Sequence, residues 1–260
     1  MAKTRRSGTL ILLRLLMGVC LLGVLISVYI LFVSQREYVK GDAAYAQVRT
    51  LLEERQETEL GPEKDSEAPV VKETKQVDFT ALRQINEDAV AWISEEEGVI
   101  DYPVVQGKDN DYYLNHLFTG QKNKLGSLFV DYRTPGDFSG KSTVIYGHNM
   151  KDGSMFASLT HYKDQAYYDE HSVMQLHTPE GSYSIEFFAG IVADGDYEFL
   201  RLDFNDDRDF LAYIGDLKAE STFQSEVEVK AEDRIVALCT CSYEFNNARY
   251  ALIGKLIPIY

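Results

Sequence analysis

Two cysteines close together near the C-terminus are the residues most suited to covalent chemistry. Cys239 and Cys241 end a segment with the β-branched and apolar composition of a strand. Because side chains alternate along a strand, both thiols share one face, with Cα atoms roughly 6.6 Å apart and parallel Cβ directions. That geometry disfavours a disulfide, and no accompanying Cys or His spacing supplies further zinc ligands. The segment therefore holds either a reactive thiol or two buried, inert ones.

A base or cation near a thiol would favour the nucleophilic thiolate. Cys241 is the last residue of its predicted strand before a polar turn, where a side chain can reach solvent. Among five histidines, His148 stands out because it too follows a predicted strand, after one glycine. His161, His171 and His177 lie in polar or alternating contexts that are typical of surface or edge positions. His148 is therefore the candidate partner of Cys241.

An arginine follows at the start of the next predicted strand. Arg249 lies eight residues after Cys241, across a connection of hairpin length. That placement returns the guanidinium to the same sheet end, where it could stabilise an oxyanion or hold a substrate carbonyl. The alternative is a solvated arginine at a strand end. If Arg249 instead faces the thiol, it forms a candidate Cys–His–Arg site with Cys241 and His148.

The elements that must position these residues are mainly strands. Short segments rich in β-branched and aromatic residues recur from residue 99 onward, divided by Gly, Asn, Asp and Pro. Asp206–Phe223 instead carries apolar residues at helical spacing, and Asp78 could N-cap a short helix at the start of the domain. The pattern predicts a mainly β fold, a small barrel decorated by helices. The predicted strands are Val99–Val105, Ser127–Asp131, Ser142–Tyr146, Val173–Thr178, Ser182–Ala193, Arg234–Cys241 and Arg249–Ile259.

The N-terminal region predicts a membrane anchor. Leu15–Val33 runs nineteen residues without a charge, which as a helix spans roughly 28 Å, close to the hydrocarbon thickness of a bilayer. The stretch is longer than the apolar core of a signal peptide and is not followed by a small-x-small cleavage pattern. Four basic residues and no acid precede the run, so we expect the N-terminus to be cytoplasmic and the remainder extracellular.

Composition excludes one class of partner, and charge and hydrophobicity divide the chain into segments. The 260 residues include 26 Lys and Arg against 41 Asp and Glu, a formal net charge of −15. Nucleic acid is therefore not an expected partner, because phosphate binding requires a basic surface. We predict a cytoplasmic basic tail at 1–14, a transmembrane anchor at 15–33, a stalk and linker at 34–76, and a catalytic domain at 77–260.

The motifs resemble, in order, the successive blocks of class B sortases, which are membrane-anchored cysteine transpeptidases. The resemblance covers roughly Val77–Tyr260. The family hallmark Thr-Leu-x-Thr-Cys stands here as Ala237-Leu238-Cys239-Thr240-Cys241, with alanine replacing the first threonine and Cys239 where the class usually has serine. These departures bear on substrate preference and redox sensitivity rather than on the reaction class. The matching blocks are IDYPVVQGKDNDYYLNHLF, GSLFVDYR, STVIYGHNM and RIVALCTCSYEFNNARYALIGKL.

This resemblance implies a sortase-like closed β-barrel of about seven or eight strands, decorated by helices. It also implies that Cys241 attacks the threonine carbonyl of a C-terminal sorting motif, that His148 transfers protons and that Arg249 stabilises the oxyanion. The implied partners are secreted proteins that carry a sorting signal, a peptidoglycan amine of a Gram-positive-type cell wall and, through the anchor, the membrane. The chemistry uses no metal or organic cofactor. Predicted substrate contacts are Cys239, Thr240, Tyr243 and Asn149.

Three alternatives remain open at this stage. A pilus-assembling sortase would use a lysine of another subunit as its acceptor. A cysteine protease would differ only in resolving the thioester with water. A catalytically silent, membrane-tethered domain would use the same barrel to bind peptides, although the joint presence of Cys241, His148 and Arg249 speaks against it.

Overall fold

A computed structural model of the chain describes residues 3–60, 77–96, 99–195 and 200–259. Helix α1 (Lys3–Leu60) is the one helix in these ranges that is long and apolar enough to cross a membrane. The chain divides into a first compact unit that ends at Ala43 and a second that begins at Ala44. Residues 61–76 of the predicted stalk and linker lie outside the described residues, and the predicted domain boundaries stay a prediction.

Eight strands of the second unit close into a barrel. Around the barrel their order is β1-β2-β3-β4-β7-β8-β6-β5. The β2–β3 and β4–β7 pairs are parallel and the remaining pairs are antiparallel. The strands are β1 (Ala89–Ser94), β2 (Asp101–Val105), β3 (Leu128–Val130), β4 (Ser142–Tyr146), β5 (Val173–Thr178), β6 (Gly181–Asp194), β7 (Ile235–Cys241) and β8 (Ala248–Ile259).

Short helices decorate the barrel. Asp78 caps the first of them, because its carboxylate accepts the backbone N–H of Ala81 at 2.9 Å. The helices after α1 are α2 (Phe79–Ile85), α3 (Gln165–Glu170) and α4 (Asp207–Glu220), with 3₁₀ turns at Tyr112–Leu114 and Ala157–Lys163.

Helix α4 packs its apolar side against strands of the barrel. Phe210, Ile214 and Leu217 repeat at helical spacing and are buried. Burial of each such side chain contributes about 1.5–3 kcal/mol, so this layer stabilises the domain. The strand residues in the same cluster include Val144, Phe188, Ile191, Ile235, Ala237, Cys239 and Ile253.

The mainly β, closed-barrel fold with decorating helices is confirmed. Strand β1 was not among the predicted strands, because AVAWIS is buried along almost its whole length and lacks the period-2 alternation of a half-exposed strand. The surface or edge interpretation was wrong for His177, which is 2% exposed. Its Nδ1 lies 2.8 Å from Oγ of Ser182, the residue paired with it on β6.

Candidate active site

The sheet register brings the predicted site residues to one end of the barrel. Cys241 is the last residue of β7 and lies directly opposite Arg249 of the antiparallel strand β8. On its other side β7 runs parallel to β4, where Tyr146 pairs with Cys239. Because parallel strands end on the same side, His148, two residues after β4, follows the strand end beside Cys241.

His148 is held by backbone groups. The preceding residue Gly147 extends the β4–β7 ladder by donating its N–H to the Cys239 carbonyl at 3.0 Å. A Cβ on Gly147 would lie 2.4 Å from the Leu128 side chain, so the close approach requires glycine. The His148 carbonyl accepts the N–H of Phe156 at 2.9 Å, so backbone hydrogen bonds restrain the chain both before and after the His148 side chain.

The imidazole of His148 has a defined partner. Its Nε2 lies 2.6 Å from the carbonyl oxygen of Leu114. A carbonyl only accepts hydrogen bonds, so Nε2 carries the proton in this contact. In the neutral ring Nδ1 is then the atom that can take up a proton, and protonation of Nδ1 gives an imidazolium that keeps the bond to Leu114.

Arg249 is half-buried, and its guanidinium is held next to the turn that joins β7 and β8. Its Nη1 donates to the carbonyls of Asn247 at 3.3 Å and Ala248 at 3.2 Å. Asn247 has a φ of 63°, the left-handed conformation that asparagine tolerates better than most residues. The turn therefore aims its carbonyls at Arg249 and keeps the cation at the Cys241 end of the sheet.

Burial separates the two thiols of β7. Cys239 is 4% exposed and packs in the apolar layer under α4, whereas Cys241 is half-buried at the strand end. Burial raises the pKa of Cys239 to about 12, although the cation of Arg249 opposes this shift. Cys239 is therefore a protonated thiol at neutral pH, and Cys241 is the better placed nucleophile.

The other predicted contact residues differ in their accessibility. Asn149 turns its side chain toward the protein and donates Nδ2–H to the Cys241 carbonyl at 2.9 Å. Thr240 is buried, since it points to the face opposite Cys241, and Tyr243 is 75% exposed. Of the four residues predicted to contact substrate, Tyr243 is the one that faces solvent, and the substrate roles of all four stay predictions.

A charged cluster behind the cysteine turn was not anticipated from the sequence. The Lys163 ammonium donates to Ser242 Oγ at 3.1 Å and to the Glu244 carboxylate, which also accepts the Ser242 hydroxyl. Burial alone would raise the pKa of Glu244, but the hydrogen bonds from Lys163 and Ser242 outweigh it and lower the pKa to about 2. This cluster ties the residues after Cys241 to the 3₁₀ turn at Ala157–Lys163.

The Leu114 carbonyl was likewise missed by sequence reasoning, because a backbone acceptor leaves no side-chain signal. The Lys163–Glu244 pair could have been found only as opposite charges, and the two residues lie 81 positions apart. Asn247 offered a weak signal, since asparagine before a strand is common at left-handed turn positions.

Comparison with known proteins gives a consistent result. No family model matches the chain. It is 39% identical over 178 residues to Sortase B of Listeria monocytogenes, which covers 68% of this chain and 72% of that protein. A Staphylococcus aureus sortase B–substrate complex superposes with a TM-score of 0.74 at 28% identity, covering 86% of this chain and 99% of the other. Clostridium perfringens sortase B gives a TM-score of 0.66 at 33% identity, covering 69% and 100%.

The similarity to these proteins in sequence and fold thus extends over most of their length. The curated relative exceeds 30% identity over more than two thirds of its sequence, and the solved structures have the same closed barrel. The chain belongs to the class B sortases, a family of cysteine transpeptidases.

Proposed function

We propose that this protein is a membrane-anchored sortase that cleaves a C-terminal sorting motif after threonine and joins the new carboxyl end to a peptidoglycan amine. The observation that carries this proposal is the register of β4, β7 and β8. It puts Cys241 opposite Arg249 and beside the strand end that leads into His148.

The first half-reaction forms a thioester. The Cys241 thiol first gives its proton to His148 Nδ1. The thiolate then attacks the threonine carbonyl carbon, and the resulting oxyanion is stabilised by hydrogen bonds from the Arg249 guanidinium. The C–N bond to the next residue then breaks, and His148 gives the proton on Nδ1 to the departing amine. Through these steps Nε2 keeps its bond to the Leu114 carbonyl, which holds the ring in place.

The second half-reaction transfers the acyl group. An acceptor amine attacks the thioester carbon, His148 Nδ1 takes the surplus proton from that nitrogen, and Cys241 leaves as thiolate. The enzyme returns to its starting state with one peptide bond broken and one formed. Protein groups alone supply the nucleophile, the proton carrier and the oxyanion donor in this scheme.

The N-terminal helix supports the proposed location. An uncharged run of nineteen residues follows a basic tail, so the positive-inside tendency favours a cytoplasmic N-terminus and an extracellular barrel. Sorting substrates leave the secretion channel at the membrane, where the lipid-linked wall precursor is also found. Tethering the enzyme to the same surface raises the effective concentration of both substrates.

The test uses the full chain in detergent micelles with quenched-fluorophore peptides that carry Asn-Pro-x-Thr or Ser/Pro-Pro-x-Thr sequences. We expect wild type to cleave one of them after threonine, and a short glycine peptide with a free amine to divert the product to a ligated form. Cys241→Ala should abolish cleavage and ligation without changing the melting temperature.

Each alternative gives a distinct result in this assay. Cleavage that persists in Cys241→Ala would move the nucleophile to another residue. Cleavage that no amine diverts would favour a hydrolase, whereas ligation to a lysine-bearing pilin peptide in preference to glycine would favour pilus assembly. Well-folded protein that binds a peptide but cleaves none would favour the silent receptor.

A further inference from the structure

We propose that Tyr45, on the part of helix α1 that belongs to the second unit, is a positioning residue for the catalytic histidine. This inference rests on the proposed function, because it assumes that His148 is the proton carrier for Cys241. It changes the interpretation of the residues after the anchor, which the sequence predicts to be a stalk.

The first observation is the docking of this helical segment on the barrel. Tyr45 and Val48 are each 2% exposed. The Tyr45 ring meets the ring of Tyr102 edge-on, with centroids 5.2 Å apart. Arg49 donates Nε–H to the Asp101 carbonyl at 2.9 Å and lies 3.3 Å from the carboxylate of the same residue. A stalk residue would be exposed, so this segment is part of the folded domain.

The second observation links the Tyr45 hydroxyl to the acceptor of the histidine. Tyr45 donates its hydroxyl proton to the Gly126 carbonyl at 2.6 Å. Gly126 has a φ of 60°, and a Cβ there would lie 2.8 Å from the carbonyl oxygen of Leu114. That oxygen is the one 2.6 Å from His148 Nε2. Tyr45 therefore holds the backbone that packs directly against the partner of His148.

Two hydrogen bonds join Ser127 to the backbone on either side of Leu114. Ser127 donates its N–H to the Tyr113 carbonyl at 2.9 Å and its hydroxyl to the His116 carbonyl at 2.9 Å. Leu114 lies between these two acceptors in the chain. The Leu114 carbonyl therefore lies in a backbone segment that is bonded to Ser127 on both sides. The Tyr45 hydroxyl restrains the residues that hold this segment, because it lies 2.6 Å from the Gly126 carbonyl and 3.2 Å from Ser127 Oγ.

A second route leads from the same tyrosine toward the cysteine. The Tyr102 hydroxyl, on the ring that packs against Tyr45, accepts the N–H of Met155 at 3.3 Å. Met155 pairs with Asn149 in an isolated bridge, and Asn149 donates to the Cys241 carbonyl. The docked helix thus supports the backbone on both sides of the site.

The chemical consequence concerns the charged form of His148. A carbonyl that accepts Nε2–H stabilises imidazolium more than neutral imidazole, and the imidazolium in turn favours the Cys241 thiolate. Loosening the Leu114 carbonyl weakens this stabilisation. Thiolate formation at Cys241 then requires a higher pH, even though neither reacting group has been changed.

The experiment compares full-length wild type with Tyr45→Phe, which removes one hydroxyl and keeps the ring on Tyr102. The matched control is Tyr168→Phe, because Tyr168 is also buried and donates to a backbone carbonyl, that of Phe187 at 3.1 Å. Peptide cleavage gives kcat and KM. Iodoacetamide labelling, read residue by residue by mass spectrometry, gives the pH dependence of Cys241 reactivity without any substrate.

We expect Tyr45→Phe to lower kcat about fivefold with little change in KM, the size of effect expected from one hydrogen bond. The inflection of Cys241 labelling should rise by about half a pH unit. Ser127→Ala should shift both quantities in the same direction. Tyr168→Phe should lower the melting temperature and leave both quantities unchanged.

A Tyr45→Phe protein that loses only melting temperature, as the control does, would overturn the positioning role. The labelling readout also separates the two proposals. If wild type cleaves no peptide while Tyr45→Phe still shifts Cys241 labelling, the proposed reaction fails and the positioning role stands. If wild type cleaves and ligates normally but the labelling inflection is the same in both proteins, the positioning role alone fails.

Discussion

The barrel wall and the rim segments of this protein are held in place in different ways. We call residues 142–146 of β4, 235–240 of β7 and 250–259 of β8 the barrel wall, and residues 112–127, 147–156 and 241–249 the rim segments. In the wall, continuous ladders fix the residues, as from Ile235↔Lys255 to Thr240↔Tyr250 between β7 and β8. In the rim segments, single contacts fix the functional groups, as between His148 and the Leu114 carbonyl.

Stability and reactivity therefore depend on different parts of the molecule. A wall residue shares its position with many neighbours through packing and ladder hydrogen bonds, so its loss lowers the free energy of unfolding. A rim contact restrains one group of the proposed active site and contributes little to the core. We therefore expect substitutions in the wall and its apolar layer to change stability at nearly constant rate, and substitutions in the rim to do the reverse.

The largest expected effect is on stability, from the apolar layer that covers the wall. Phe210→Ala should reduce the free energy of unfolding by about 3–5 kcal/mol, because it leaves a cavity between α4 and the sheet. The folded fraction should keep its kcat. Denaturant titration gives the free energy of unfolding, and rates are normalised to the folded fraction calculated from it.

Leu211→Ala on the same helix is the control, since Leu211 is 41% exposed and should change stability by less than about 1 kcal/mol. A Phe210→Ala enzyme that keeps its free energy of unfolding but loses kcat would contradict the expectation that wall residues determine stability and rim residues determine rate.

The next effect is on rate. Arg249→Lys should reduce kcat/KM by about 10²–10³-fold, because a lysine offers a point charge in place of the planar fork proposed to hold the oxyanion. The melting temperature should change little. Arg234→Lys, at the opposite end of β7, is the control for replacing an arginine beside the same strand. Near-wild-type turnover of Arg249→Lys would reduce Arg249 to a strand-end charge.

A smaller effect is expected from the cluster behind the cysteine turn. Glu244→Gln should lower kcat about fivefold, because Lys163 and Ser242 lose the carboxylate that ties the turn to the neighbouring 3₁₀ element. The pKa of Glu244 is lowered to about 2 from its ordinary value of 4.5, so the carboxylate stays ionised from pH 5 to 9. The ratio of kcat for wild type to kcat for Glu244→Gln should then be constant from pH 5 to 9.

The effect of Glu244→Gln on melting temperature should depend on pH in the acidic range, unlike its effect on kcat between pH 5 and 9. A lowered carboxyl pKa stabilises the folded state at pH values above the unfolded pKa, and that contribution fades as pH falls from about 4.5 toward 2. The gap in melting temperature between wild type and Glu244→Gln should therefore narrow below about pH 4.5. A gap that widened on acidification would mean that the carboxyl is stabilised in its protonated form.

Most of the barrel strands could be predicted from the sequence because the signal for a strand is local. Ser142–Tyr146 and Val173–Thr178 match the observed strands at both ends, since β-branched residues bounded by turn residues encode a strand within a few positions. Cys241 and Arg249 were expected at the same sheet end, and the register pairs them directly. Strand β1 was missed because its burial removes the alternation that marks a strand.

The rim contacts could not be predicted because they depend on where distant backbone atoms fall. Nothing in the residue type of Leu114 signals that its carbonyl meets His148. The substrate contact predicted for Asn149 stays a prediction. The hydrogen bond from its amide to the Cys241 carbonyl could not be predicted, because that orientation depends on the fold of the whole turn. Tyr45 lies in a charged, helix-compatible segment, and its burial follows from tertiary docking rather than from helical propensity.

The smallest expected effect comes from Cys239, where wall and rim meet. Cys239→Ser should change kcat/KM by less than about threefold and lower the free energy of unfolding by about 1 kcal/mol, because it places a hydroxyl in an apolar layer. Iodoacetamide at pH 8 should label Cys241 and leave Cys239 unmodified, since burial raises the pKa of Cys239 from 9.0 to about 12.

The raised pKa of Cys239 also determines how its contribution to the stability of the fold depends on pH. A raised thiol pKa stabilises the folded state below pH 9, and this contribution is lost as pH rises toward 12. The stability difference between wild type and Cys239→Ser should therefore be constant from pH 6 to 8. Labelling of Cys239 at pH 8, or a folded but inactive Cys239→Ser enzyme, would show that the second thiol takes part in the reaction. Its place in the wall would then no longer separate it from the chemistry at the rim.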